Sequence, residues 1–402
     1  ISDLSIKSTL NARYSNSVRD LYYPRSTQQG TSTRGYAGNT WSEVLNYISE
    51  TYVNYTKKFR QHHSLGVMAG FSYEQTDLRS LNIRVFDFFS DDLQGANLSE
   101  GTLPQIPQND ITKTKMASFY GRVNYSYKDR YLLTATFRGD GSSKFGRNNK
   151  WAYFPSFALA WRISEEPFMK KVNWITNFKL RAGYGLSGSQ AISPYQSLCL
   201  LTTDGYYFGG NYVKGIGVGK YEWSASGGVY TGLGEPDLKW ETTEQINVGV
   251  DLGFLKNRFN LVIDLYEKNT RDLHQMVELP LESGYSYTVR NMGKIRNRGL
   301  EVTLQANLRF GEFKWYPSVN YYMNRNKIMS LGGKYTYVDG PALISGDGGE
   351  PFRGHIAIEG HPMGMFYGYK TNGIIQNSEQ ASEYSSSVGK LEPGEVRYVD
   401  IS

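Results

Sequence analysis

Polar and apolar side chains alternate through much of this chain. Over residues 117–127 one set of positions reads Ala117, Phe119, Gly121, Val123, Tyr125 and Tyr127, and the other reads Ser118, Tyr120, Arg122, Asn124 and Ser126. The same period returns in 246–252, where Ile246, Val248, Val250 and Leu252 interleave with Asn247, Gly249 and Asp251, and again in 259–265 and 300–308. Successive side chains of a strand point to opposite faces, so each segment predicts a strand with one apolar and one polar side. Strands are predicted over 4–14, 45–56, 64–73, 116–127, 131–138, 153–163, 177–184, 243–252, 258–267, 297–309 and 314–325. A one-sided antiparallel sheet in water shows the same alternation, and length separates the two cases. Soluble strands average about five or six residues, whereas a strand crossing an outer membrane needs about 9–11. Most of these segments reach the spanning length.

The links between them alternate in length. Short ones are expected at 57–63, 128–130, 253–257 and 310–313, a middling one at 164–176, and long ones at 77–115 and 185–242. In an up-and-down meander this gathers tight turns at one end and long loops at the other. Outer-membrane barrels have that asymmetry, with short periplasmic turns and long extracellular loops. Tyr125, Tyr127, Tyr131, Phe254, Phe259, Phe310, Phe313 and Trp315 flank the short links. Interfacial girdles need amphipathic rings at that height, and the girdle is the favoured reading over turn-flanking rings of an ordinary β protein.

Composition narrows the class. Apolar residues make up 39% of the 402, yet 14% are aromatic and 32 are tyrosine. Disordered chains lack aromatics, so disorder is not expected. No uncharged apolar run nears the roughly 18 residues of a transmembrane helix, so a helical membrane protein is excluded. The single cysteine, Cys199, excludes an internal disulfide framework and a multi-cysteine metal site, and it reads as a small buried residue. The net charge of +6 comes from 44 cationic against 38 anionic residues, scattered, with no basic run longer than Lys57-Lys58 or Lys170-Lys171. Nucleic-acid binders concentrate such charge in a stripe or motif, so no nucleic acid is expected as a partner. The chain opens Ile1-Ser2-Asp3, without methionine or signal peptide, and reads as a mature fragment or a piece of a longer chain.

Few segments suggest chemistry. Residues 138–144 (Arg138-Gly139-Asp140-Gly141-Ser142-Ser143-Lys144) lack the spacing of a phosphate loop and read as a strand-end turn. Residues 345–350 set acidic groups among glycines without an EF-hand pattern; a solvated loop is the default and a loop calcium site the alternative. His62 and His63 are adjacent and would point to opposite faces, His274 stands alone, and His355 and His361 have no cysteine nearby, so no metal ligand set is assigned. Glu165 and Glu166 lead a link before Pro167, and sequence neighbours cannot flank one glycosidic bond. No catalytic or cofactor-binding residue is assigned, and substrate-binding residues stay open. Residues 204–230 hold Tyr206, Tyr207, Phe208, Tyr212, Tyr221, Trp223 and Tyr230, which could stack on sugars or peptides or simply pack loop against loop. The polar strand faces carry Arg122, Arg138, Arg162, Lys179, Arg181, Asp251, Asp264 and Glu301, as the interior of a plugged, water-containing barrel requires.

Several segments, in order, resemble one family. They are 124–138 with Asp140-Gly141-Ser142-Ser143-Lys144-Phe145-Gly146, then Tyr153-Phe154-Pro155-Ser156, Trp161-Arg162-Ile163-Ser164-Glu165-Glu166 and Leu180-Arg181-Ala182-Gly183-Tyr184-Gly185. Glu235-Pro236-Asp237-Leu238-Lys239-Trp240-Glu241, residues 291–301, 359–369 and 393–400 complete the set. Together the chain resembles the SusC/RagA type of TonB-linked outer-membrane transporters of Bacteroidetes-like bacteria. The resemblance implies an all-β fold: a partial transmembrane antiparallel β-barrel, with about 11 or 12 staves of roughly 22. It implies that the plug, the N-terminal extension and the TonB-contacting segment lie outside residues 1–402, and that 326–402 is mostly an extracellular lobe with a strand over 365–375. It further implies an outer-membrane protein, not an enzyme, that imports a glycan or peptide nutrient. A SusD-like lipoprotein would sit at its extracellular loops and TonB–ExbB–ExbD would pull on the missing N-terminal region. Outer-membrane lipid would surround it. A secreted or surface β-rich carbohydrate-binding or adhesion protein is the alternative. An open sheet leaves two unpaired edges, so the fragment is not expected to form a functional barrel alone.

Overall fold

The computed structural model describes residues 3–218, 220–223, 229–332, 337–339, 354–368, 370–383 and 392–398. The chain divides into two units, residues 1–292 with 298–324, and residues 293–297 with 325–402. The larger is built on a 12-stranded antiparallel sheet in which chain neighbours are sheet neighbours almost throughout. Its main path runs β1 (Leu4–Tyr23), β2 (Tyr36–Phe59), β3 (His63–Phe88), β4 (Gln108–Tyr127), β5 (Tyr131–Ser142), β6 (Trp151–Arg162), β7 (Ile175–Ser189), β8 (Glu241–Phe254), β9 (Phe259–Arg271), β10 (Lys294–Ala306) and β11 (Ser318–Ser330). The twelfth strand, Gly101–Pro104, adds to β3. Each predicted strand has its counterpart, and β1 and β11 stand at the two ends of the path.

The register carries the alternation across the sheet. On one face Phe71, Phe119 and Gly139 lie side by side, as do Leu133 with Leu159, and Val248 with both Ala182 and Leu265. On the other, Lys179 opposes Asp251 and Arg162, and Arg181 opposes Gly249. The apolar face is bare: Leu159 is 59% exposed, Val248 50% and Leu265 55%. Leaving such a side chain in water forfeits about 1.5–3 kcal/mol. A whole face of them therefore calls for an apolar solvent rather than a second layer of structure.

The soluble-type core sits elsewhere. Phe145, Phe154, Ile192, Leu238, Trp240, Tyr287 and Val289 form one buried cluster, and Ala37, Val85 and Phe88 another. Both lie at the end of the sheet where residues 24–35, 89–107, 143–150, 190–240 and 272–293 emerge. The opposite end is closed by residues 60–62, 128–130, 163–174, 255–258 and 307–317. Tight reversal there uses left-handed backbone: Lys128 and Asp129 have φ of 52° and 53°, and the Arg130 N–H donates to the Tyr127 carbonyl at 3.0 Å.

Four expectations need correction. β2 and β3 run far beyond the predicted cores, to 24 and 26 residues, because their upper halves pair with each other above the alternating segment. The link 143–150 at the loop end is shorter than 163–174 at the turn end, so link length does not segregate without exception. The strand predicted over 297–309 breaks after Ala306, whose N–H bonds to the Pro317 carbonyl; Leu308–Phe310 instead pairs with Phe313–Trp315 as a separate hairpin. In the second unit 365–375 is not one strand: Met365–Phe366 joins Tyr337–Asp339 and His355–Ile358, while Thr371–Ile374 pairs with Val396–Tyr398.

Candidate functional site

The polar face of β7, β8 and β9 gathers charge from positions two residues apart. Arg181 donates from Nη2 to Asp251 Oδ1 at 2.8 Å and bridges to Asp264 at 3.0 Å, while Lys179 Nζ stands 3.3 Å from Asp251 Oδ2. Two cations and two carboxylates thus close a locally neutral cluster across three strands. Gly249 makes room for it: a Cβ there would fall 2.3 Å from Asp264 Oδ1 and 2.8 Å from Arg181 Cζ. The small residues Ala158, Ala160, Gly183 and Gly185 beside it leave a trough of about 500 Å³ that Gln245 and Asn247 also line.

A second network crosses β2 to β5. Tyr120 donates to Glu50 Oε1 at 2.7 Å, its ring lying over Gly70, where a Cβ would come within 2.5 Å of it. The Arg138 guanidinium lies 5.6 Å from that ring and donates to Asp140 at 2.8 Å and Ser118 Oγ at 3.0 Å. Arg122 donates from Nε to Thr136 Oγ1 at 3.4 Å, and Arg162 stands opposite Lys179 on the same face. Of the polar positions read from the sequence, Lys179, Arg181, Asp251 and Asp264 form the first cluster and Arg138 belongs to the second, whereas Arg122 and Arg162 stand on that face beside them and Glu301 lies exposed on β10. Such a face offers fixed charges and hydrogen bonds to whatever fills the interior.

The opposite face is banded. Near the turn end, Phe59, His63, Tyr127, Tyr131 and Trp161 stand in one cross-strand row. Tyr127 and Tyr131 stack at 6.4 Å, Tyr131 and Trp161 at 6.3 Å. A second row holds Phe71, Phe119 and Trp151, with centroids 4.9 and 5.8 Å apart. From Tyr131 to Gly141, which faces Trp151, β5 advances about ten steps of roughly 3.3 Å. At a tilt near 40° this separates the rows by about 25 Å, the height of an outer-membrane barrel's apolar band. The apolar hollow of about 620 Å³ between Tyr131, Leu133, Leu159, Trp161, Leu180 and Val248 lies on this face, on the lipid side and not the interior.

Glu166 ties the link 163–174 to the lower row. Its carboxylate accepts from the Tyr131 hydroxyl at 2.7 Å, the Trp161 Nε1–H at 3.1 Å and Arg130 Nη1 at 3.1 Å. The tyrosine hydrogen bond, then the indole and the guanidinium, hold the carboxyl below the usual carboxylate range against the opposing effect of burial. A lowered folded-state value gives stability that is present above the ordinary value near pH 4.3 and is lost as pH falls through the lower one. Pepsin cleavage within 163–174 is expected to accelerate as pH drops below about 4. In Glu166→Gln the link is expected to be cut readily at every pH tested, and an unchanged profile would remove this anchor.

The remaining candidates resolve without chemistry. Glu165 and Glu166 part ways, since Glu166 is buried in the anchor and Glu165 is exposed. The segment 138–142 is the end of β5 and not a turn, the chain leaving the strand only after Ser142. His63 Nδ1 meets the Tyr125 hydroxyl at 2.7 Å, His274 Nε2 the Lys239 carbonyl at 2.7 Å, and the His355 ring lies tilted against Phe366 at 5.1 Å. Among the described residues no three metal-ligating side chains converge. Residues 345–350 and the side chains of Tyr206, Tyr207, Tyr212, Tyr221, Trp223 and Tyr230 lie outside the described residues. Cys199 is exposed and not buried, its Sγ 4.0 Å from the Gly234 carbonyl; the buried positions of that segment are Ile192 and Ser197.

The loop-end core is what sequence reasoning missed. Trp240 packs on Phe145 at 4.8 Å and edge-on to Phe154 at 5.8 Å, and donates to the Lys150 carbonyl at 2.9 Å. Gly146 comes so close that a Cβ would sit 1.8 Å from the Pro236 carbonyl oxygen. The available signal was the apolar pair Leu238 and Trp240 inside a polar link.

Residues 2–391 match the family described as TonB dependent receptor-like, beta-barrel. The chain belongs to that family. TonB-dependent receptor P3 of Formosa agariphila is 31% identical over 405 residues, covering 100% of this chain and 39% of that protein. TonB-dependent receptor SusC of Bacteroides thetaiotaomicron is 30% identical over 380 residues, covering 92% of this chain and 36% of SusC. The chain thus spans under two fifths of the length of these curated relatives. Among solved structures, the RagAB peptide importer in its closed-closed state superposes with a TM-score of 0.75 at 24% identity, over 94% of this chain and 39% of that one. The Escherichia coli outer-membrane transporter YddB gives 0.53 at 14% identity, over 82% of this chain and 40% of that one. This TonB-dependent receptor barrel is an outer-membrane structure of the SusC/RagA type, so its turn end is periplasmic and its loop end extracellular.

Proposed function

We propose that the receptor imports a glycan or peptide nutrient across the outer membrane, driven by TonB–ExbB–ExbD acting on a region outside residues 1–402. A SusD-like lipoprotein meets the extracellular loops, and 326–402 forms mostly an extracellular lobe of the same platform. The observation that carries this reading is the two-faced sheet. It has a bare apolar belt about 25 Å tall outside and a charged, hydrogen-bonded face inside around Arg181, in a family of TonB-dependent receptors. A soluble adhesion or carbohydrate-binding protein would cover that belt. The receptor names of the relatives support transport rather than catalysis.

Deleting the whole gene in its native host tests the reading. Growth on one class of glycan or peptide as sole source is expected to fail and to return with the intact gene. Normal growth on every member of a broad panel would overturn import.

A further inference from the structure

The periplasmic rim is far more basic than the chain. Residue 3 with 57–63, 127–131, 162–174, 255–259 and 306–316 holds twelve Lys and Arg against five Asp and Glu, although the whole chain is only +6. The remainder of the sequence is therefore slightly anionic. Within these segments Arg130 pairs with Glu166. Elsewhere cations of the loop end are paired, as in Arg25–Asp91, Lys239–Asp272 and Arg290–Glu235.

Two projections of this rim combine bare rings with bare cations. In the link 163–174 Phe168 is 62% exposed and Trp174 60%, with Lys170 and Lys171 exposed between them. In the hairpin Leu308–Phe310 with Phe313–Trp315, Phe310 and Phe313 stack at 6.5 Å on one side. On the other side Arg309 stands directly opposite Lys314. Like charges in register repel, so an anion seated between them is favoured. Both projections lie on the turn side of the Tyr127–Tyr131–Trp161 row, the level of the lipid headgroups.

We propose that this rim is a binding surface for anionic phospholipid of the periplasmic leaflet, the rings seating at the acyl boundary and the cations on headgroup phosphates. Charge complementarity and continuity with the lipid-facing belt single out a lipid surface over an acidic protein. The surface does not depend on which nutrient the receptor carries, and it goes beyond the import reading.

The test uses delipidated full-length receptor in detergent, titrated with phosphatidylglycerol or phosphatidylethanolamine, with retained lipid counted by native mass spectrometry. Phosphatidylglycerol is expected to be retained several-fold over phosphatidylethanolamine. Combining Lys170→Ala, Lys171→Ala, Arg309→Ala and Lys314→Ala is expected to cut that preference by about five-fold or more. The exchange set Lys170→Arg, Lys171→Arg, Arg309→Lys and Lys314→Arg is expected to keep it. Heat-modifiable mobility on gels confirms that each variant is folded. Equal retention of the two lipids by the wild type, or an unchanged preference in the folded alanine variant, would overturn the proposal.

Discussion

Ala135→Arg is expected to destabilise the folded receptor by about 2–4 kcal/mol, because it places a charge at the middle of the lipid-facing band. Ala135 lies between Val123 and Phe157 on the bare face, roughly midway between the two aromatic rows. A small side chain is replaced, so no cavity forms, and the cost is that of guanidinium in hydrocarbon. The control is the same chemistry at another depth. Ala117 shares the face but stands beside Gly141 at the upper row, where an arginine can reach headgroups and is expected to cost about 0–1 kcal/mol. Urea titration of full-length receptor refolded into vesicles measures both. Equal costs at the two positions would mean that this face does not meet lipid.

Trp240→Ala is expected to loosen the extracellular loop core by about 3–5 kcal/mol while leaving the barrel folded. The indole is 6% exposed and joins Phe145, Phe154 and the Lys150 carbonyl, so its removal opens a cavity and orphans an acceptor. Trypsin cleavage at Lys144, Arg147 or Lys150 is expected to rise steeply. Trp240→Phe keeps most of the packing and loses one hydrogen bond, so about 1 kcal/mol of the effect should remain. Cleavage unchanged from wild type in Trp240→Ala would show that the cluster does not hold these loops.

The sheet was legible because a period of two is imposed wherever one face meets lipid and the other does not. The segment 246–252 shows this, and β8 contains it whole. The polar members of the interior clusters were legible for the same reason. Their partners were not, since Arg181 and Asp264 meet only through the register of β7, β8 and β9. The upper reaches of β2 and β3 escaped notice because above the membrane both faces meet water or loops, and alternation weakens there. The loop core joins residues from separate links, and no local period marks such a meeting. Cys199 misled because its small volume suits a core whose sites Ile192 and Leu238 already fill.

The length of β3 has a consequence for how the receptor meets its surroundings. From Tyr73, near the upper row, the strand continues to Phe88, a climb of about 35–40 Å at the same tilt. The sheet is thus a palisade of uneven height: β2 and β3 rise well above the bilayer, whereas β5 and β6 stop beside the upper row. The raised segments can therefore vary in sequence while the planted portion keeps its fit to the hydrocarbon.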